Sequence, residues 1–432
     1  MTFVDLLDTP SLCLEPHAIA DLARRAEAGE SLPLGQYARA ERVGDDILVA
    51  RDPLGCAKAF YGCNRDGALV VGNRIAALVG RGVLLSEIAS CPPGRVVAAG
   101  RGTRPRMLGA QPPPPQAQTS AFDPDTLRSH ARERLAAAFS TLAERHRGAR
   151  FVVCLSGGSD SSIIAGFAAK YLPGAVCCSF SFRPANAGSD FGHDLDQLDA
   201  GSDDFRAASR VAQYLGLPLL PVFRSSEAVR DALPLAVGLC QDWRDFNVHC
   251  AVVNLFLAQD IRARFPDDDV VVLTGDLMNE YMCDYREEIV DGHVYYRQPR
   301  VDIGRRRDFF VMGLDAGDRE IGVFGAYRLT LYQAFVLLSD LYMAIPASEL
   351  ERANFKHWLN DPLLPAGLPD LISRQKTRAQ VGGRDMGVLG VCHRLGVTPA
   401  QLQTWWKDAV APAADLREVL DLIQVGKYRT LM

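Results

Sequence analysis

Phe151-Val152-Val153-Cys154-Leu155-Ser156-Gly157-Gly158-Ser159-Asp160-Ser161-Ser162 decides the reading of this chain. An apolar run enters a Gly/Ser turn, and Ile163-Ile164-Ala165-Gly166-Phe167-Ala168-Ala169 follows with helical composition. The pattern predicts a buried strand, a glycine turn and a helix start. A helix start carries unpaired N–H groups and the positive end of a dipole, so it suits an anion. Gly157 and Gly158 let backbone approach that anion closely, and Ser156, Ser161 and Ser162 add hydroxyls. Asp160 would repel bare phosphate, so its presence points to a magnesium ion beside the phosphates.

Outward from this segment, strand and helix patterns alternate. Residues 151–155, 175–182, 217–223 and 269–274 read as strands, and 160–171, 203–215 and 246–265 as helices. Such alternation predicts a parallel sheet with helices on both faces, ligands binding beyond the carboxyl ends of the strands. The segment 320–425 reads as mostly helical. Before Gln111-Pro112-Pro113-Pro114-Pro115-Gln116-Ala117-Gln118 the chain looks β-rich, with short apolar runs at 46–50, 57–62 and 67–72. The prolines mark a linker at 111–120 between residues 1–110 and 121–432. The fold class expected is therefore α/β, with a small β-rich N-terminal domain.

At 432 residues, 48% of them hydrophobic, the chain suits two or three domains. It has no apolar run long enough for a membrane span, and Met1–Asp5 lacks the features of a signal peptide. A net charge of −5 supplies no global field for nucleic acid. Eleven scattered cysteines without a CxxC pair fit a reduced, cytoplasmic protein without a zinc site.

The turn at 156–162 resembles the S-G-G-x-D-S loop of ATP pyrophosphatases, which cut ATP between the α and β phosphates. It is not the Walker loop, which needs G-x-x-x-x-G-K-[ST]. The second half is similar to the adenine-nucleotide α-hydrolase-like synthetase domain of asparagine synthetases and β-lactam synthetases. The resemblance places ATP on Leu155, Ser156, Gly157, Gly158, Asp160, Ser161 and Ser162. It adds Ser179 and Phe180 at the next strand end, where Phe180 is equally readable as core. Asp203-Asp204-Phe205 is similar to the family's D-x-x-x-A helix.

Leu273-Thr274-Gly275-Asp276-Leu277-Met278-Asn279-Glu280 resembles the family's L-S-G-E-G-S-D-E loop. Gly275 then belongs to the ATP site, and Asp276 or Glu280 is the base or the amine-orienting group. Asn279 falls on the family's magnesium-holding aspartate, and a neutral amide is the weaker ligand for a hard cation. Metal ligands are thus Asp160, with Asn279 and Asp276 as further candidates. Phe355-Lys356-His357-Trp358-Leu359 and Ile372-Ser373-Arg374-Gln375-Lys376 resemble the family's two-lysine region. The resemblance gives Lys356 to phosphate and Lys376 to the negative charge of the acyl-adenylate and tetrahedral intermediate. Arg328 resembles the arginine of the family's G-x-x-A-R-x-P segment, without its proline.

Arg51-Asp52-Pro53-Leu54-Gly55, Asn73-Arg74-Ile75-Ala76-Ala77-Leu78 and Pro92-Pro93-Gly94-Arg95 resemble pieces of the family's glutamine amidotransferase domain. Active members need a cysteine at position 2, where this chain has Thr2, and the N-G-E-x-Y-N segment is missing. Cys13 reads as a core thiol. The resemblance implies a truncated, glutaminase-dead domain kept for scaffolding or dimerisation, which leaves a homodimer open.

The function expected is an ATP- and Mg²⁺-dependent, AMP-forming ligase. It would join a small-molecule or peptide carboxylate to an amine, in specialised-metabolite or modified-peptide biosynthesis. Two alternatives stand beside it: thiolation chemistry of the tRNA-modifying type, and an inactive nucleotide-binding scaffold.

Overall fold

The computed structural model describes residues 2–8, 10–13, 17–100, 105–109, 122–183, 202–282, 289–290, 293–294, 316–352, 354–372 and 387–414. The Pro-rich segment, all but the ends of Phe182–Ser202, and Ser373–Lys376 lie outside the described residues.

Strand alternation builds the N-terminal region. One sheet runs β1 (Phe3–Leu6), β5 (Leu69–Gly72), β4 (Phe60–Cys63), β6 (Ala89–Ser90). The other runs β2 (Ala38–Val43), β3 (Asp46–Arg51), β7 (Val96–Ala99), β8 (Arg106–Met107). Successive side chains point to opposite faces. Ile47 and Val49 of β3 therefore meet Leu69 and Val71 of β5 between the sheets. Leu48 and Ala50 face outward onto Ile19 and Leu22 of helix α1 (Ile19–Glu27). The other sheet turns Phe60 and Val70 toward the rest of the chain, together with Ile75 and Leu78 of α2 (Ile75–Gly80).

The Arg51-Asp52-Pro53 segment has a structural task. Asp52, fully buried, accepts the N–H groups of Leu54, Cys56 and Ala57 at 3.1, 3.0 and 2.8 Å. Arg51 donates to the carbonyls of Ala57 at 2.7 Å and Cys91 at 3.0 Å. Burial pushes the Asp52 carboxyl up, while Arg51 and the backbone donors pull it down.

Helix α3 (Pro124–Arg145) opens the C-terminal region. Asp123 caps it by accepting from the N–H groups of Asp125 and Thr126, and Pro124 occupies its first turn. The strands that follow are β9 (Arg150–Cys154), β10 (Val176–Phe182), β11 (Leu219–Arg224) and β12 (Val270–Leu273). A short antiparallel pair, β13 (Ile289–Val290) and β14 (His293–Val294), precedes β15 (Thr330–Tyr332). The large sheet has the order β11-β10-β9-β12-β15, and all its pairings are parallel.

Phe151 and Val153 face α4 (Ser159–Tyr171) and α5 (Asp203–Leu215). Val152 faces the opposite layer of α6 (Ser226–Cys240), α7 (Asp245–Arg264) and α9 (Ala316–Ala326). The short α8 (Met278–Met282) follows β12. No helix among the described residues is long and apolar enough to cross a membrane.

The expected strands and helices of the C-terminal region stand within about two residues of their predicted places. Several elements differ from the sequence reading, among them helix α3, which fills a stretch read as neither helix nor strand. Helix α6 fills another such stretch. Strand β15 interrupts the segment read as helical, and at three residues it is too short to carry a period.

The N-terminal region shares its interior with this sheet. Leu12, Leu54 and Cys56 pack in one core cluster with Phe151 and Leu273. Two buried glutamines join the regions through backbone. Gln36 donates to the Leu331 carbonyl and accepts from the Gln333 N–H, both at 2.9 Å. In the reverse sense, Gln241 accepts from Ile75 N–H and donates to the Asn73 carbonyl.

Candidate active site

From β9 the chain moves one way across the sheet, to β10 and β11, and then returns to β12 on the other side. The crevice between the carboxyl ends of β9 and β12 is thus the switch point where α/β sheets bind ligands. The turn after β9 and the loop after β12 meet there. A Cβ at Gly275 would lie 2.6 Å from Ser161 N and 2.8 Å from the Asp160 carbonyl carbon. Gly157, at φ +75°, lies against α5, and a Cβ there would come within 2.6 Å of Ala208 N.

Hydroxyls hold the turn. Ser161 Oγ accepts from Ser156 N–H at 3.1 Å, lies 3.0 Å from Ser156 Oγ and donates to the Gly158 carbonyl at 3.3 Å. Ser159 Oγ donates to Asp361 Oδ1 at 3.3 Å, and His357 Nδ1 lies 3.2 Å from the same oxygen. Leu155 is buried beneath and Ser156 is exposed at the rim.

Asp160 and Lys356, each 8% exposed, form an ion pair of 2.7 Å. Lys356 also donates to Asn279 Oδ1. Three distant segments therefore converge on one ammonium. Lys356 stands on α10 (Phe355–Asn360), which is tied to α8 by Asn360 Nδ2 against Met278 Sδ at 3.7 Å. Asp160 Oδ1 is buried and has no hydrogen-bond partner among the described residues, and the same holds for Ser162 Oγ and Thr274 Oγ1. An orphaned carboxylate oxygen beside a cradle of N–H groups suits a hard cation held between protein and phosphate.

Leu277, between Asp276 and Met278, has φ +90° and is buried. A non-glycine residue there stores strain of about 1–3 kcal/mol, and such strain gathers at functional loops. Tyr281 Oη donates to the Phe335 carbonyl at 3.1 Å and holds the short helix that follows. Asp276, Asn279 and Glu280 are half-buried.

Ser179 is buried. Phe180 stacks on Phe256 with ring centroids 5.8 Å apart and meets Phe182 edge-on, so its ring belongs to the core. Arg328 lies at φ +56° in the turn before β15, where Arg262 donates to its carbonyl at 2.7 Å. Lys376 lies outside the described residues.

A buried carboxylate on α9 escaped the sequence reading. Glu320 of α9 is 3% exposed and accepts from Gln333 Nε2 at 2.7 Å. Its charge reaches the Cys154 thiol at the end of β9. Burial pushes that thiol up, and Glu320 and then Asp276 push it further. No motif flanks Glu320, which closes the charged run Asp318-Arg319-Glu320 just before an apolar stretch.

Residues 130–305 match the Asparagine synthase family model. This region is asparagine synthetase-like. The glutamine-hydrolyzing asparagine synthetase 2 of Arabidopsis thaliana is 26% identical over 173 residues, 39% of this chain and 27% of the relative. The glutamine-hydrolyzing asparagine synthetase of Asparagus officinalis is 26% identical over 173 residues, 39% of this chain and 26% of the relative. The synthetase-like match thus spans about a quarter of the length of these curated relatives. Among solved structures, the chain is similar to NMN synthetase from Francisella tularensis, at 14% identity and TM-score 0.26, covering 69% of this chain and 97% of that one. It is also similar to glutamine-dependent NAD+ synthetase from Acinetobacter baumannii in complex with ADP, at 12% identity and TM-score 0.29, covering 99% and 63%.

Proposed function

We propose that the chain is an ATP-dependent, AMP-forming ligase that adenylates a carboxylate and joins it to an amine. The observation that carries this reading is the pairing of Asp160 with Lys356 inside the S-G-G-S-D-S-S turn at the switch point.

The chemistry divides among the residues as follows. A carboxylate oxygen attacks the α-phosphorus of ATP and pyrophosphate leaves. The amine then attacks the acyl carbon, loses a proton, and AMP leaves. The turn at 156–162 holds pyrophosphate with backbone N–H groups and hydroxyls. Lys356 supplies positive charge to phosphate. Asp276 or Glu280 orients the amine or takes its proton. Lys376 neutralises the oxyanion. Bound magnesium would sit on Asp160, with Asn279 or Asp276 nearby, and would screen the phosphate charge. No group of three metal-holding side chains exists among the described residues, so phosphate oxygens would complete its shell.

The N-terminal region is read as a glutaminase-dead scaffold, so the nitrogen comes from an amine on the substrate, a second substrate or free ammonia. Small molecules and peptides are the substrate classes, with intramolecular closure among the outcomes. A place in specialised-metabolite or modified-peptide biosynthesis follows from that chemistry.

The test is pyrophosphate and AMP release from Mg·ATP against pools of amino acids, diacids and peptides. Equal amounts with one pool, abolished by Lys376→Ala, support the ligase. ADP in place of AMP overturns it. Measurable ATP binding without turnover favours an inactive scaffold, the reading to which Asn279 at the metal position gives weight. Thiolation chemistry finds little support: burial pushes the Cys154, Cys177 and Cys178 thiols up, away from the reactive thiolate.

A further inference from the structure

Among the described residues, a set of buried polar contacts outside the phosphate turn runs from the N-terminal region to the rim of the candidate site. It starts at Gln36, which is fully buried and spends both ends of its amide on backbone flanking Tyr332. Strand β15 is the edge of the parallel sheet, and an edge strand has unpaired N–H and C=O groups. Gln36 occupies that edge as a one-residue substitute for a further strand. The next link is Gln333, also fully buried, whose Nε2 donates to Glu320 at 2.7 Å. The last is Thr274, whose N–H donates to the Tyr332 carbonyl at 3.3 Å. Thr274 immediately precedes Gly275 and Asp276, and Gly275 presses on Asp160 and Ser161.

We infer that Gln36 is a positioning residue for the candidate site: the N-terminal region sets the loop carrying Gly275 and Asp276 by fixing β15, Gln333 and Glu320. The inference rests on the ligase reading for its kinetic consequence and on geometry alone for its structural one. Two facts make the link selective. Buried amides lose heavily when left unsatisfied, so one arrangement of Gln36 is strongly preferred. The loop it steers already contains Leu277 at φ +90°, a conformation that persists only where its surroundings enforce it. Slackening β15 removes part of that enforcement. The pyrophosphate turn has its own hydroxyl bonds and does not depend on Gln36.

Gln36→Met keeps the side-chain length and removes both hydrogen bonds. In the full chain, backbone hydrogen exchange at 270–276 and 329–333 is expected to rise about tenfold or more, with exchange in α4 unchanged. With ATP and the accepted carboxylate, kcat is expected to fall about tenfold or more while the dissociation constant for ATP stays within about threefold. Gln241→Asn is the control. It breaks the other glutamine bridge, tolerates the left-handed backbone at that position and leaves β15 untouched. It is expected to lower the unfolding temperature without changing kcat. If Gln36→Met does not fold, Gln333→Met cuts the same chain at its Glu320 end, and the same loss of kcat is expected. Unchanged exchange at 270–276 in the folded variant overturns the inference, as does an equal loss of kcat in Gln241→Asn. Exchange needs no substrate, so a wild-type chain that never forms AMP defeats the ligase reading while the exchange result still decides the positioning role.

Discussion

Lys356 Nζ lies 2.7 Å from Asp160 Oδ2, and the two residues stand on helices almost two hundred positions apart in sequence. Each is nearly withdrawn from water, so each depends on the other for compensation. Removing one partner of a buried ion pair strands the other. Lys356→Met is expected to lower folding stability by about 3 kcal/mol, and Lys356→Met with Asp160→Asn by less than the sum of the two single changes. Chemical denaturation of the four proteins checks this. Additive losses would mean that the pair is not energetically coupled.

Asn279 gives Lys356 a second acceptor, at the position where the resembled family carries an aspartate. Asn279→Asp adds a carboxylate beside the orphaned oxygen of Asp160. Magnesium-dependent ATP binding is expected to tighten about tenfold, because hard cations prefer anionic oxygen. Calorimetric titration with and without magnesium measures it. Equal affinity in both proteins would show that position 279 lies away from the metal.

Gly275 has no room for a side chain. Its Cβ would reach 2.6 Å from Ser161 N, and that neighbour is backbone, which cannot swing aside. Gly275→Ala is expected to displace the phosphate turn and weaken ATP binding at least about tenfold, with a stability loss of about 2 kcal/mol. Gly166→Ala would press on Pro365 only at 3.0 Å and serves as a control outside the crevice. Comparable ATP affinities for the two variants would contradict the close packing of the loops.

His249, on α7, is 5% exposed, and burial followed by the charge of His393 pushes it down to about 4. The unfolded chain binds this proton near pH 6.5, and the folded chain does not bind it until about pH 4. Stability therefore holds above pH 6.5 and is lost as pH falls toward 4, by up to about 3 kcal/mol. Unfolding temperatures from pH 7.5 to 4.5 should fall more steeply in wild type than in His249→Gln. Parallel curves would remove His249 as the cause.

Legibility of the sequence followed the length of the signal. Phe151–Cys154 and Val270–Leu273 are apolar runs followed at once by Gly-containing turns, and both could be placed without coordinates. So could the turn at 156–162, because glycine, hydroxyls and a carboxylate in that order have few other uses. The convergence of Lys356 on both Asp160 and Asn279 was not legible. Spacing along a chain does not reveal which ammonium meets which oxygen. Glu320 and Gln36 escaped for the same reason: each is a single polar residue whose role comes from a partner that the fold supplies, Gln333 for Glu320 and the distant backbone of Leu331 and Gln333 for Gln36. Strand β15 was hidden because three residues have no period, and its neighbours β12 and Gln36 define it.

The outward face of the sheet bearing Phe60 and Val70 has a consequence for how the chain comes apart. These side chains, with Ile75 and Leu78, lie in the same apolar cluster as Val152 and Val272 of the parallel sheet. Each such side chain returned to water costs about 2 kcal/mol, so the N-terminal region cannot leave without exposing both surfaces. A single cooperative melting transition is the outcome to look for, in place of two. A protease that nicks the chain between Pro112 and Pro115 should release no fragment until denaturant is added. The N-terminal segment made alone should collect in the insoluble fraction, and co-expression with the remainder should bring it back into solution.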